Sequence, residues 1–389
     1  MADFKIYSST SETHITPAEG KIKLGSSNVL KIYQGSTLVW PISSGPDDPY
    51  TPIDGTARFI ATNNSGDIKL YDTSFSTVTP TNPFGTLPNN NYHLGGVSDN
   101  LTYMVAVGER GNNEDIKISN DGGQTFSSPS NGTFASTFKD TFASKSGQVI
   151  LSLLEPLQSP PTSNNNWMLS TDYGDNFSKI TFSGIVGVRD LYNMAISSGG
   201  KFIALSFRGY NGSSYVNYGY YSTDYGSTWT NVTSFGANSN RTWNILISGN
   251  GKYIIFIDRQ SPTNSWYSSD YGENFSSKNY SGLTNLSTKG SLGTVMNETG
   301  QYYMIIRPFS SQMSYGDNYA SSLPQNTQTL QGSAANVRIS NSGETMFWSD
   351  EGNSAPPYIF SDDFGATWSP KTNAPSSVGQ GPIYLIDVS

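Results

Sequence analysis

Short apolar runs, separated by clusters of Gly, Ser, Asn and Asp, recur along the chain from about residue 50. Each copy has an apolar residue, a small polar residue, a Gly and then an apolar strand. The clearest are Ile196-Ser197-Ser198-Gly199-Gly200-Lys201-Phe202-Ile203 and Ile247-Ser248-Gly249-Asn250-Gly251-Lys252-Tyr253-Ile254. Residues 146–150, 299–303 and 342–346 repeat the pattern, and 99–103 and 54–58 repeat it more weakly, with Asn100 and Gly55 at the turn. This reads as strand, tight turn, strand, in seven copies.

A second pattern is interleaved with the first. Ser-x-Asp-x-Gly followed three residues later by an aromatic occurs at 119–126, 170–177, 222–229, 268–275 and 361–368. Its acids are Asp121, Asp172, Asp224, Asp270 and Asp363, and its glycines are Gly123, Gly174, Gly226, Gly272 and Gly365. Residues 312–319 read as a worn copy with Ser314 in place of Asp, and Asp72 as a degenerate first copy. A carboxylate can accept hydrogen bonds from turn N–H groups, and Gly permits positive φ. The pattern resembles the Asp box, or bacterial neuraminidase repeat.

The acids, or their equivalents, lie 44 to 52 residues apart. A repeat of that length with four short strands is a propeller blade. Strand A precedes the Gly turn, strand B follows it, strand C leads into the Asp turn and strand D leaves it. The expected fold is all-β, a seven-bladed propeller preceded by a small N-terminal β module. The first blade has no strand A of its own, because Pro46, Pro49 and Pro52 precede it. The C-terminal run Ile383-Tyr384-Leu385-Ile386-Asp387-Val388-Ser389 matches the end of the other A strands and is expected to close the ring, with Ile383, Leu385 and Val388 buried. Closure removes the exposed sheet edges of an open array.

Residues 1–43 stand outside the repeat, 44–53 read as a linker, and 54–389 as the propeller. The first segment holds alternating runs at 4–7, 21–24 and 29–33, then a turn at Gln34-Gly35 and a strand to Trp40. Its NVLKIYQGSTLVWPI string resembles an attachment module of tailed-phage structural proteins, which implies docking to other virion proteins through 1–43. A hairpin packed on the propeller is the other reading.

Composition narrows the function. Only 13% of the 389 residues are charged and the net charge is -8, which argues against nucleic-acid binding. There is no Cys, and His14 and His93 are the only histidines, so thiolate or His-based metal sites and a Ser-His-Asp triad are not expected. No cofactor is expected. No run is long and apolar enough for membrane insertion, and MADFKIYSSTSE lacks the basic-then-apolar order of a secretory signal.

The Asp turns read as structural, since fold does not fix function. The resemblance to sialidases would imply an arginine triad and a Tyr–Glu pair; Ala57-Arg58-Phe59-Ile60 does not match their Phe-Arg-Ile-Pro string. The opposite face, built from B–C and D–A loops such as 155–167, 208–218 and 259–266, is rich in Tyr, Asn and Ser, which suits sugar binding. Arg208, Arg259 and Arg307 fall seven or eight residues past their turn glycines, and Arg110 fits that spacing less well. Together with Tyr210 they form a candidate site for an acidic host-surface glycan, by bidentate hydrogen bonds. Pairing of each Arg with a neighbour such as Glu109 or Asp258 is the alternative. Glu155, Asp190, Asp258, Asp350 and Glu351 are the carboxylates a glycosidase or depolymerase would use. The reading adopted is a non-enzymatic phage virion protein made in the bacterial cytoplasm, with a glycosidase and a ligand-free scaffold as alternatives.

Overall fold

The computed structural model describes residues 50, 51, 53 and 55–388, except 63–65, 79–83, 90–91, 109–114, 132–137, 155–166, 236–241, 284–292, 308–311, 330–333, 351–357 and 372–382, together with strand backbones between residues 5 and 40. The chain divides into two compact units, Met1–Asp47 and Asp48–Ser389. In the first unit three antiparallel hairpins pair Lys5–Ser8 with Ser11–His14, Lys23–Leu24 with Ser27–Asn28, and Ile32–Gln34 with Thr37–Trp40. In the third hairpin Gln34 pairs with Thr37, and the turn that the sequence placed at Gln34-Gly35 lies in part outside the described residues.

The second unit is a seven-bladed β-propeller. Five blades have four strands in simple meander order: 138–180, 187–231, 243–278, 294–329 and 334–371. The blade at 92–119 has three strands, and its fourth is reduced to one bridge between Ile118 and Ser127. The first blade is closed by the chain end. Tyr384–Val388 pairs antiparallel with Thr56–Thr62, with Tyr384 opposite Ile60 and Val388 opposite Thr56. Ile383, Leu385 and Ile386 are buried in that blade's core. The Val388 side chain lies outside the described residues.

Successive blades are locked by one repeated contact. The residue that opens strand B sits beneath the A–B turn of the next blade. A Cβ on Gly251 would lie 1.9 Å from Phe202 of the preceding blade, and on Gly300 2.4 Å from Tyr253. The aromatic of the next Asp turn packs on the same residue. Tyr103 stacks on Tyr173 at 4.3 Å, and Tyr253 on Tyr319 and Tyr302 on Phe364 at 5.1 Å each. These aromatics hold left-handed φ values near +60°, a strained conformation for a bulky residue that the ring contact offsets. In the second blade Leu101, not Asn100, occupies the left-handed position of the A–B turn. Backbone bonds then run from blade to blade around the axis: Asp99 N to Lys145 O, Ser146 N to Ser198 O, Ser198 N to Gly249 O, Gly249 N to Asn297 O, and Glu298 N to Asn341 O. Asn341 N donates to Asp387 Oδ2 at 2.7 Å, which carries the ring into the C-terminal strand. Tyr50 and Ile53 join the same end, through Tyr50 Oη to Asp99 and Asn341 Nδ2 to the Ile53 carbonyl.

The Asp turns share one hydrogen-bond scheme. In 222–229, Ser222 Oγ donates to Asp224 Oδ1 at 2.8 Å and accepts from Gly226 N at 2.9 Å, while Asp224 accepts from Thr228 N and Oγ1 at 2.8 and 2.6 Å. Asp121, Asp172, Asp270 and Asp363 repeat it with Thr125, Asn176, Asn274 and Thr367. Asp72 reproduces part of it with Ser74 and Ser76. The worn copy lies elsewhere than the sequence indicated. Ser314 is buried inside strand C, and the turn falls at 316–323, where Asn318 bonds Ser322 at 2.8 Å and Tyr319-Ala320 take the left-handed pair. The Tyr315-Gly316 dipeptide imitates the motif four residues before Tyr319-Ala320.

The serine is the buried half of this arrangement and the acid the exposed half. Ser222→Ala is therefore expected to cost about 1–3 kcal/mol, because a shielded N–H loses its acceptor. Asp224→Ala should cost about 0.5–1.5 kcal/mol, since water replaces the carboxylate at exposed donors. Chemical denaturation of both variants orders the two, and a larger loss for Asp224→Ala would refute the assignment.

Acid should weaken the fold. Burial alone would raise the Asp121 carboxyl, but hydrogen bonds from Thr125, Ser119 and Gln124 hold it down at about 2. The Thr367 hydroxyl and amide and Ser361 do the same for Asp363, also to about 2. Asp72, Asp172, Asp224 and Asp270 are lowered for the same reason against the same opposition from burial. Folded values below the unfolded 3.8 mean that this stabilisation is complete above 3.8 and lost as pH falls toward about 2. Asp99 acts in the opposite sense, because burial raises its carboxyl. With six groups lowered and Asp99 raised, thermal melting temperatures are expected to fall as pH falls through this window; a flat profile would refute the argument.

Candidate functional site

Meander topology puts the A–B and C–D turns at one end of the propeller and the B–C and D–A connections at the other. The blade of 187–231 is the longest. Its strands A, B and C are Gly187–Ile196, Ile203–Tyr210 and Tyr215–Ser222. The stretch 208–218 is thus mostly strand, not a long loop. Its turn is tight: Asn211 Oδ1 accepts from Ser213 and Ser214 N at 3.0 and 2.8 Å. β-Branched and aromatic residues at Tyr215, Val216, Tyr218, Tyr220 and Tyr221 favour the extended ribbon.

Two bulges interrupt strand A of this blade, between Val188 and Asp190 and between Leu191 and Asn193. A bulge leaves one residue unpaired and re-aims its side chain. The unpaired residues are Arg189 and Tyr192. Tyr192 Oη donates to Asn217 Oδ1 at 3.0 Å, and Asn217 lies opposite Arg208, which lies opposite Asp190. Arg208 and Arg189 place their Cζ atoms 5.2 and 4.9 Å from the Tyr215 ring centre. From the next blade, Arg259 brings its Cζ to 6.0 Å from the Tyr192 ring.

These groups also act on one another electrostatically. Burial pushes the Tyr192 hydroxyl up, and the charges of Arg208 and Arg259 pull it back. Burial lowers the Arg259 guanidinium, and Tyr192 opposes that shift. Arg259 Nε is buried without a hydrogen-bond partner. Arg189 pairs with Asp190 at 3.6 Å, and among the described residues neither Arg208 nor Arg259 has a carboxylate partner. Asp258 is fully buried and caps its own loop, accepting from Gln260 and Ser261 N at 2.8 and 3.1 Å. It does not pair with Arg259.

The structure therefore brings together two of the four arginines singled out from sequence. Arg307 ends a strand whose side chain lies outside the described residues, as do Arg110, Glu109, Glu155, Glu351 and the Asp350 side chain. Tyr210 packs against Tyr215 at 5.2 Å and donates to the Gly212 carbonyl, so it supports the turn. Tyr192, Arg189, Tyr215 and Asn217 were not legible as site residues, because only the bulges and cross-strand register place them there. Among the described residues no cluster of His, Asp or Glu suits a metal ion.

No protein-family model matches this sequence, and no curated protein matches it. Solved structures do resemble it in fold. A protein from Lactobacillus plantarum aligns with TM-score 0.54 and 10% identity over 86% of this chain and 100% of its own. A functionally unknown protein from Desulfotomaculum acetoxidans aligns with TM-score 0.50 and 11% identity over the same shares, 86% and 100%. A dihydro-heme d1 dehydrogenase aligns with TM-score 0.51 and 12% identity over 85% of this chain and 66% of its own. Identities this low show the propeller fold alone.

Proposed function

We propose that this chain is a non-enzymatic, outward-facing component of a tailed-phage particle, an Asp-box propeller whose loop end binds an acidic host-surface glycan. The observation that carries the binding reading is the pair of guanidinium groups on adjacent blades, Arg208 over the Tyr215 ring and Arg259 over the Tyr192 ring, without a carboxylate partner among the described residues. Planar guanidinium donors suit a carboxylate in bidentate geometry. The five regular Ser-x-Asp-x-Gly turns support the Asp-box kinship, and the N-terminal NVLKIYQGSTLVWPI segment supports the attachment role.

The glycan reading is tested by titrating the full chain with sialyllactose and with lactose. Charge-assisted hydrogen bonds contribute about 1.5–3 kcal/mol each, so Arg208→Ala and Arg259→Ala should each weaken sialyllactose binding by roughly tenfold to a hundredfold. Lactose should bind weakly to all three proteins. Wild-type affinity in both folded variants would sink the site. The particle reading is tested by density-gradient purification of virions: the full chain should co-sediment with them and a chain lacking residues 1–43 should not. A full chain found only in the lysate supernatant would sink that part.

A further inference from the structure

The inner strands of all seven blades enclose an axial cavity of about 310 Å³, within the range of small-ligand pockets. Its wall is largely apolar and includes Leu94, Met194, Val295, Met296 and Leu385. One arginine lines it. Arg338, on the inner strand Ala334–Ile339, is positioned by its neighbour across the closure seam: its Cζ lies 5.4 Å from the Tyr384 ring. Tyr384 is itself held by its hydroxyl, which donates to the Leu94 carbonyl at 3.2 Å.

A guanidinium has five N–H donors. Arg338 uses Nη1 for the Val337 carbonyl at 2.9 Å, and it forms no ion pair among the described residues. Its other nitrogens are not among the sealed, unpartnered atoms of the interior; the side chain keeps accessible surface, and that surface is the cavity wall. The other charged or titratable groups on the wall are His93, Asp99, Lys145 and Tyr384. Asp99 and Lys145 are engaged with Tyr50 and Asn341 at the A–B end. Burial pulls the Arg338 guanidinium below its ordinary value, and Tyr384 opposes that shift. A cation in an apolar enclosure without a counter-charge is costly. A bidentate donor fork on one side and methionine and aliphatic surface on the other match a planar anion with an apolar body.

We propose that the axial cavity is a binding site for a small organic carboxylate, its carboxyl group held by Arg338 and its apolar body against Met194, Val295 and Met296. The site is separate from the Tyr192 patch and rests on different residues. Benzoate is a suitable probe. Thermal melts of the full chain should rise with benzoate at millimolar concentration, and chloride at the same concentration should leave them unchanged. Arg338→Met, which keeps the length of the side chain and removes the charge, should abolish the rise, and Arg338→Lys should weaken benzoate at least tenfold. In parallel, the fluorine resonance of 4-fluorobenzoate should broaden with wild-type protein and sharpen when excess benzoate is added, a measurement that needs no variant. The proposal is overturned if benzoate neither raises the melt nor broadens the fluorine line. It is equally overturned if chloride reproduces the whole rise, or if folded Arg338→Met responds as wild type does.

Discussion

A chain ending at Gly381 is expected to lose the closed ring. The deleted segment supplies the inner strand of the first blade, and Thr56–Thr62 then presents an unpaired edge to the axis. Ile383, Leu385 and Ile386 are at most 6% exposed. At roughly 1.5–3 kcal/mol per buried aliphatic side chain, their loss approaches the 5–15 kcal/mol that holds a typical domain together. The same cut removes Asp387, the acceptor that continues the ring of interblade bonds from Asn341. The expected outcome is an insoluble or expanded protein, read by small-angle scattering and by loss of the cooperative thermal transition. A truncated chain that melts like the full one would show that the seam does not hold the ring.

Gly251→Ala is expected to be far more damaging than Gly184→Ala, although both glycines have nearly the same backbone conformation, φ +77° and +76°. The left-handed conformation costs an L-residue about 1–2 kcal/mol at either site. At Gly184 nothing lies within 4 Å of the new Cβ, so that is the whole effect. At Gly251 the Cβ would lie 1.9 Å from the Phe202 ring. Phe202 is fully buried and also packs against Tyr271, at 5.9 Å between ring centres. It has nowhere to move without opening the interface between blades, and overpacking adds about 1–3 kcal/mol. Denaturant melts of the two variants should therefore differ by about 1–3 kcal/mol. Equal losses would mean that the blades are not locked through these turns.

Residues 119–126, 170–177, 222–229, 268–275 and 361–368 were readable as turns because the scheme is local: Ser, Asp and Gly act within eight residues. The same locality made blade number legible, since each turn marks one unit, and the missing first strand pointed to the chain end. What local pattern could not supply was register. Tyr315-Gly316 looked like a turn and is the end of a strand, because the stacking of Tyr319 on Tyr253 selects the later position. Leu101 replaces Gly in its turn because a contact-rich environment tolerates what propensity disfavours. Arg208 and Arg259 carried a spacing signal, each eight residues past its turn glycine, although Arg208 lies within strand B and Arg259 just beyond it. The contact of Arg259 with Tyr192, beside Arg208 on Tyr215, depended on two bulges in one strand, which leave no mark in composition or period. Arg338 carried no signal at all: its alternation pattern is that of any strand, and only closure of seven blades around an axis turns its side chain into the wall of a cavity.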